Sequence, residues 1–370
     1  MQHFFHRLFL FIFSPILVFV FGDDHQQPLN SHLDLNTHHI SHTKDVFDIN
    51  SKLPSVYHTS TRQNISKELY DELEELARVV DVSYCVGYSG IRAPFNCLGR
   101  CSEFPSFQLV ETWNTGPYLS DSCGYIALSH PPAPKRIIIA FRGTYSLANA
   151  IADLSLSKQS YLPYPSDGHS SPTPEDQKCE NCTVHSGFLE SWTQAERLIG
   201  ETVSNLVKVW KAERGYELVL VGHSLGGAVA ALAALEFNAK GYGPVVTTFG
   251  EPRVGNEALA RFIDGRFTPE TYRRLTHVND PVPLLPLNEW GFAPHQTEFY
   301  IDQKELPPKQ ERILRCEGPE DKECIAGGGV NPLQLFWSHR DYFVRLGVCL
   351  KDPRRLLLEG DKEDGISNRV

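Results

Sequence analysis

Apolar positions along this chain recur with two different periods, and the switches between them mark its elements. From Ser66 onward, Leu69, Leu73, Leu76 and Val79/Val80 fall three and four residues apart, which predicts a helix with one buried stripe. Arg136 to Phe141 is a short apolar run, Ile-Ile-Ile-Ala-Phe after the arginine, and reads as a buried strand. A second helical pattern runs from about Gly187 to Glu213, with Leu189, Trp192, Leu198/Ile199, Leu206 and Trp210 on its apolar face. Leu218 to Val221 is another buried strand, and the Ala/Leu stretch Ala228 to Ala239 is a helix apolar all round. Strands follow at Val245 to Phe249 and Tyr272 to Val278, and the last elements lie between Phe336 and Leu350. Strands alternating with helices predict an α/β fold with a mostly parallel central sheet covered by helices on both faces. The period is lost in three places. Residues 23–60 are polar, 157–182 are rich in Ser, Pro, Asp and Lys, and 352–370 are charged. They read as a disordered or removable pro-segment, a surface insertion and a flexible tail. The folded domain is therefore expected over 61–351.

The N-terminus adds an address. His6 and Arg7 precede an apolar run from Leu8 to Phe21, broken only by Ser14 and Pro15, and Asp23-Asp24 closes it. A spanning helix needs about 20 apolar residues, so residues 1–22 read as a secretory signal rather than a membrane anchor. No other segment is long and apolar enough to span. A net charge of -10 leaves no basic stripe for phosphates and argues against a nucleic-acid partner. Nine cysteines fit an oxidising compartment, and the odd number leaves one unpaired. Cys179 and Cys182, with only His185 close by, fit a small disulfide loop better than a zinc site. Metals and cofactors are not expected. Asn64-Ile65-Ser66 is a glycosylation sequon. Asn181-Cys182-Thr183 is a weaker one if Cys182 is tied back to Cys179. Eight of the fifteen histidines lie before residue 60, six of them in the polar segment.

The chemistry concentrates at Gly222-His223-Ser224-Leu225-Gly226-Gly227. The apolar strand before it and the helix after it supply the strand–turn–helix context of a nucleophile elbow. Such a turn exposes the Ser224 hydroxyl at a helix N-terminus, where backbone N–H groups favour negative charge. A serine needs a base to take its proton, and a histidine held by a carboxylate serves. With the chain order serine, acid, histidine, the candidates for base are His277, His295 and His339. His277 lies in a strand and is expected to be packed. His295 sits in a loop that could line a cleft. His339 lies near the end of the fold, where the order places the base. For the acid, Asp280 directly follows the strand ending at Val278 and would face the crevice at the sheet's carboxyl edge. Asp264 reads as an exposed helix residue, Asp302 is a competitor, and Asp341 is too close to His339 to orient it from a separate loop. An oxyanion needs two donors. The Leu225 N–H follows the nucleophile directly, and Phe141-Arg142-Gly143-Thr144 after the Ile-rich strand can supply the second, with Thr144 adding a hydroxyl.

Taken together, these segments resemble the class 3 lipase family, secreted fungal lipases of the α/β-hydrolase fold. The matching motifs are Phe-Arg-Gly-Thr at 141–144, Val184-His185-Ser186-Gly187-Phe188, the elbow at 222–227, Thr248 to Asn256, Asn279-Asp280-Pro281-Val282-Pro283, and His339 with Tyr342-Phe343. They stand in family order over roughly residues 65–350. The resemblance implies a Ser224/Asp280/His339 triad with an oxyanion hole at Thr144 and Leu225. By likeness to the yeast and ascomycete branch, it also implies disulfides Cys85–Cys349, Cys97–Cys101, Cys179–Cys182 and Cys316–Cys324, with Cys123 left over. It further implies a short lid helix at about 145–155, whose stripe is Leu147, Ala150, Ile151 and Leu154. Many family lids carry Trp where Ala150 stands, so the stripe is thin and weak activation at an oil–water surface is expected. The function so read is a secreted serine ester hydrolase, a triacylglycerol lipase acting through an acyl-enzyme on lipid at an oil–water interface. Feruloyl esterase, phospholipase and galactolipase are the alternatives with the same triad. A catalytically dead lipid- or glycan-binding homologue is a further class, set against intact catalytic groups. A monomer is the expectation.

Overall fold

The computed structural model describes residues 64–116, 121–144, 158–163, 178–328 and 335–350. The leader, the polar segment to residue 60, the lid residues Leu147, Ala150, Ile151 and Leu154, most of the insertion and the tail lie outside them.

An eight-stranded sheet organises the domain. Its strands in chain order are β1 (Phe107–Asn114), β2 (Cys123–Ser129), β3 (Arg136–Phe141), β6 (Glu217–His223), β7 (Val245–Phe249), β8 (Tyr272–His277), β9 (Glu298–Ile301) and β10 (Ile313–Arg315), and they lie side by side in that order. The pairs from β3 to β9 are parallel, and the pairs β1–β2, β2–β3 and β9–β10 are antiparallel. The sheet is thus parallel at its centre and antiparallel at its edges. A separate hairpin pairs β4 (Lys158–Ser160) with β5 (Thr183–His185).

Alternation along β3 shows why the sheet is buried on both sides. Ile137, Ile139 and Phe141 join one core, while Ile138 and Ala140 join the other. The first core packs beneath α2 (Ser186–Leu206) and α3 (Leu225–Ala239), through Phe188, Trp192, Ile199, Val229 and Leu232 among others. The second packs beneath α1 (Lys67–Val82), through Leu73, Leu76, Val79 and Val80. Ser66 caps α1, its hydroxyl accepting from the Leu69 N–H at 3.1 Å. The expected face of α2 needs one correction. Ile199 is buried, but Leu198 is 55% exposed, and Val203 takes the next buried position. Adjacent residues on a helix point about 100° apart, so only one of the pair could face the sheet. The helix ends in a π-turn over Val207–Ala212. None of the helices among the described residues is long and apolar enough to cross a membrane.

Disulfides join Cys85 to Cys349, Cys97 to Cys101, Cys179 to Cys182 and Cys316 to Cys324. Cys123 is a buried free thiol whose pKa burial pushes up to about 11, so it stays protonated. The Cys85–Cys349 bridge ties the end of α1 to the C-terminal segment across 264 residues. Loop-closure entropy removed from the unfolded chain grows with the loop closed, to about 5–6 kcal/mol for loops of this size. The Cys85→Ser/Cys349→Ser protein is therefore expected to lose more stability in urea unfolding than the Cys316→Ser/Cys324→Ser protein, whose bridge spans 8 residues. Equal losses would show that loop entropy is not what the long bridge contributes.

Candidate active site

The turn between β6 and α3 is tight because two glycines allow it. A Cβ on Gly222 would stand 2.2 Å from the Gly226 carbonyl oxygen, and one on Gly226 would stand 2.3 Å from that of Phe141. Between them Ser224 takes φ 58° and ψ -130°, a left-handed φ that an L-residue adopts only under constraint. The Ser224 N–H is held by the Phe249 carbonyl at 2.9 Å, and the Ser224 carbonyl accepts from the Gly227 N–H at 2.8 Å. Gly143, in the loop after β3, closes on the same point: its Cβ would lie 2.8 Å from that of Ser224.

Asp280 and His339 meet beside this turn. His339 Nδ1 lies 3.0 Å from both carboxylate oxygens of Asp280, and Asp280 is fully buried. The same carboxylate accepts from Tyr342 Oη at 2.6 Å and from the Val282 N–H at 2.9 Å. Burial alone would raise the Asp280 pKa. The neighbouring His339 and these hydrogen bonds outweigh it and hold the carboxyl below the usual range. Asp280 is therefore ionised, which fixes the Nδ1 proton of His339 and leaves Nε2 as the acceptor. His339 Nε2 is buried and has no hydrogen-bond partner among the described residues, and the same holds for Thr144 Oγ1. One buried unmatched acceptor and one buried unmatched hydroxyl among the described residues suit a reaction that supplies a proton to the first and an oxyanion to the second.

His223 connects the two loops. Burial, then the adjacent His339, lower its pKa to about 3, so its ring is neutral. Its Nε2 lies 2.7 Å from the His339 carbonyl, which can only accept, so Nε2 carries the proton. Nδ1 then accepts from Tyr84 Oη at 2.5 Å, and Tyr84 oxygen in turn accepts from the Gly143 N–H. The His223 and His339 rings are 4.7 Å apart. The loop carrying Thr144 and the loop carrying His339 are thus joined through one tyrosine and one neutral imidazole. Tyr84 escaped the sequence reading, because a tyrosine at the end of a helix carries no local sign of such a role. His223 and Tyr342 lay inside recognised motifs, yet neither was assigned a role.

The competing residues are placed elsewhere. His277 is buried in β8, its nitrogens 3.0 and 2.9 Å from the Ser338 and Gln303 carbonyls. His295 is buried against Glu251 at 3.0 Å, so it does not line a cleft. Asp341 holds Arg345 through two bonds, and Asp302 holds Arg312. Asp264 is half-buried rather than exposed: it accepts from the Gln296 N–H at 2.8 Å, and burial raises its pKa.

A parallel-centred sheet covered by helices on both faces, with a serine turn at the carboxyl end of a central strand, defines an α/β-hydrolase. Residues 138–290 match the family model described as "Lipase (class 3)". The chain is 44% identical to the secreted mono- and diacylglycerol lipase 2 of Gibberella zeae, covering 78% of this chain and 84% of that protein. It is 42% identical to lipase A of Sodiomyces alcalophilus, over 79% and 85% of the two chains. Among solved structures it is similar to the Lip2 lipase of Yarrowia lipolytica, with a TM-score of 0.69 and 31% identity, over 78% of this chain and 98% of that one. The chain belongs to the class 3 lipase family and is an ester hydrolase of the lipase type.

Gly250 offers a test of the geometry. Its φ is +62°, and a Cβ there would stand 2.9 Å from His339 Cε1 and 3.0 Å from Asp280 Oδ2. Gly250→Ala is expected to push the pair apart while leaving the sheet folded. Misplacement by about 1 Å costs on the order of a hundredfold in turnover. Wild-type kcat with an unchanged circular dichroism spectrum would show that the pair has slack at this position.

Proposed function

We propose that Ser224, His339 and Asp280 carry out acylglycerol hydrolysis through an acyl-enzyme. Ser224 Oγ attacks the ester carbonyl while His339 Nε2 takes its proton. The tetrahedral oxyanion is held by the Leu225 N–H and by Thr144. His339 returns the proton to the departing alcohol, and water then repeats the sequence on the acyl group to release the carboxylic acid. Asp280 stays ionised and stabilises the imidazolium formed at each step. The observation that carries this reading is the pairing of His339 Nδ1 with a buried, ionised Asp280 while Nε2 has no partner among the described residues. The reading includes secretion through residues 1–22, since the Gibberella zeae relative bears the name of a secreted lipase. It also includes a glycan at Asn64, whose side chain is exposed. Triacylglycerol is the substrate proposed from the sequence. That relative's name favours a second reading, in which mono- and diacylglycerols are preferred.

Ser224→Ala and His339→Ala should each lower ester turnover by on the order of 10⁴-fold or more, because the groups act as a unit. His295→Ala should retain activity and lose stability, since it strips a buried partner from Glu251. Activity surviving in His339→Ala but lost in His295→Ala would sink the assignment. Side-by-side rates on tributyrin, a long-chain triacylglycerol, a diacylglycerol, a phospholipid and methyl ferulate decide the substrate class. Turnover of methyl ferulate above all the glycerides would replace the acylglycerol reading.

A further inference from the structure

Four large apolar side chains stand out of the surface around one disulfide. Tyr88 is 68% exposed, Leu98 59%, Val348 37% and Leu350 54%. Val348 and Leu350 flank Cys349, whose sulfur lies 3.0 Å from Ser89 Oγ, next to Tyr88. A Cβ on Gly99, next to Leu98, would stand 2.9 Å from the Cys85 sulfur. Two distant stretches of sequence are thereby gathered into one patch.

The patch adjoins both loops of the site. Arg142 donates through Nη1 to the Val86 carbonyl at 2.7 Å and through Nε to the Gly143 carbonyl at 3.2 Å. Arg340, next to His339, donates through Nε to the Leu346 carbonyl at 2.7 Å. The charge there runs against the rest of the chain. In a protein of net charge -10, residues 84–101 and 342–350 contain no Asp or Glu and three Arg. Arg100 is paired with Asp81 and Glu103, and Arg345 with Asp341. Arg92 is exposed, and no carboxylate among the described residues pairs with it.

We infer that this patch is the face by which the enzyme seats on a lipid surface bearing carboxylates. Ester hydrolysis turns ester and water into alcohol and a fatty acid, so the substrate surface grows anionic as the reaction proceeds. A chain of net charge -10 is repelled by such a surface, and least so through a face whose two segments carry no acid of their own and whose Arg92 has no carboxylate partner among the described residues. Tyr, Leu and Val side chains around a rigid disulfide insert at little entropic cost, and an exposed arginine meets the carboxylates. The lipid is chosen on the acylglycerol reading, but binding is measured without turnover, so the two ideas fail separately.

The test is flotation of the full-length Ser224→Ala protein with phosphatidylcholine vesicles, with and without oleate. Tyr88→Ser/Leu98→Ser/Leu350→Ser should weaken binding at least about tenfold on both vesicles. Arg92→Gln should weaken it only where oleate is present, and less so at high salt. With Ser224 intact, the triple variant should lose turnover on emulsified ester and keep it on dissolved p-nitrophenyl acetate. Unchanged vesicle binding in the triple variant overturns the proposal, as does equal loss on dissolved and emulsified ester. A chain ending at Leu350 that alone shows Tyr88-dependent vesicle binding would overturn it too, by assigning the patch to residues 351–370.

Discussion

The constraint on which the rest depends is the close approach of three backbones at Ser224. Strand β6, helix α3 and the loop after β3 converge there, and they can do so only because Gly222, Gly226 and Gly143 have no side chain. A left-handed φ at a serine is costly, on the order of 1–3 kcal/mol, and persists only where its surroundings leave no alternative. Here the Phe249 carbonyl, the buried length of α3 and the parallel pairing of β6 with β3 and β7 supply that compulsion. The turn places Ser224 at the end of the strand and the Leu225 N–H at a helix start, so one local geometry holds both the proposed attacking group and a proposed oxyanion donor.

Around the turn, electrostatics are settled by burial rather than by exposed charge. His223 is kept neutral by burial and so must choose one tautomer, which the His339 carbonyl dictates. Asp280 is equally buried yet ionised, because it collects donors from His339, Tyr342 and the Val282 N–H. A buried carboxylate without them would be protonated and could not stabilise an imidazolium. The two groups differ in the number of donors and acceptors that their loops provide, and not in depth.

Much of this was legible in the sequence for physical reasons. The elbow is readable because glycines at fixed offsets are the only residues that fit, and Asp280 because it ends a strand at the edge where sites form. The strand runs in β3 and β6 are readable because burial on both faces demands continuous apolar residues. His339 could be chosen over His295 only through chain order and family likeness. The pair His295–Glu251 is itself a buried histidine and carboxylate, and nothing local distinguishes it from His339–Asp280. Tyr84 and the role of Gly250 were not legible, since both act through contacts with residues far away in the sequence. The Leu198/Ile199 ambiguity on α2 was of another kind: adjacent apolar residues do not say which one faces the sheet.

The placement of His339 near the C-terminal end of the fold raises a question of rigidity, because terminal segments fray unless something ties them down. Here the ties converge on α1. The Gly347 N–H donates to Asp81 Oδ1 at 2.8 Å, Asp81 is held by Arg100 at 2.9 Å, and Cys349 is bonded to Cys85 one turn beyond. Arg340 then braces the intervening turn by donating to the Leu346 carbonyl. The helix that covers one face of the sheet therefore also anchors the segment carrying the proposed base. Tyr84, at the end of that helix, reaches back to the loop of Gly143 and Thr144. The first described helix thus braces both the segment of the proposed base and the loop of the proposed oxyanion donor.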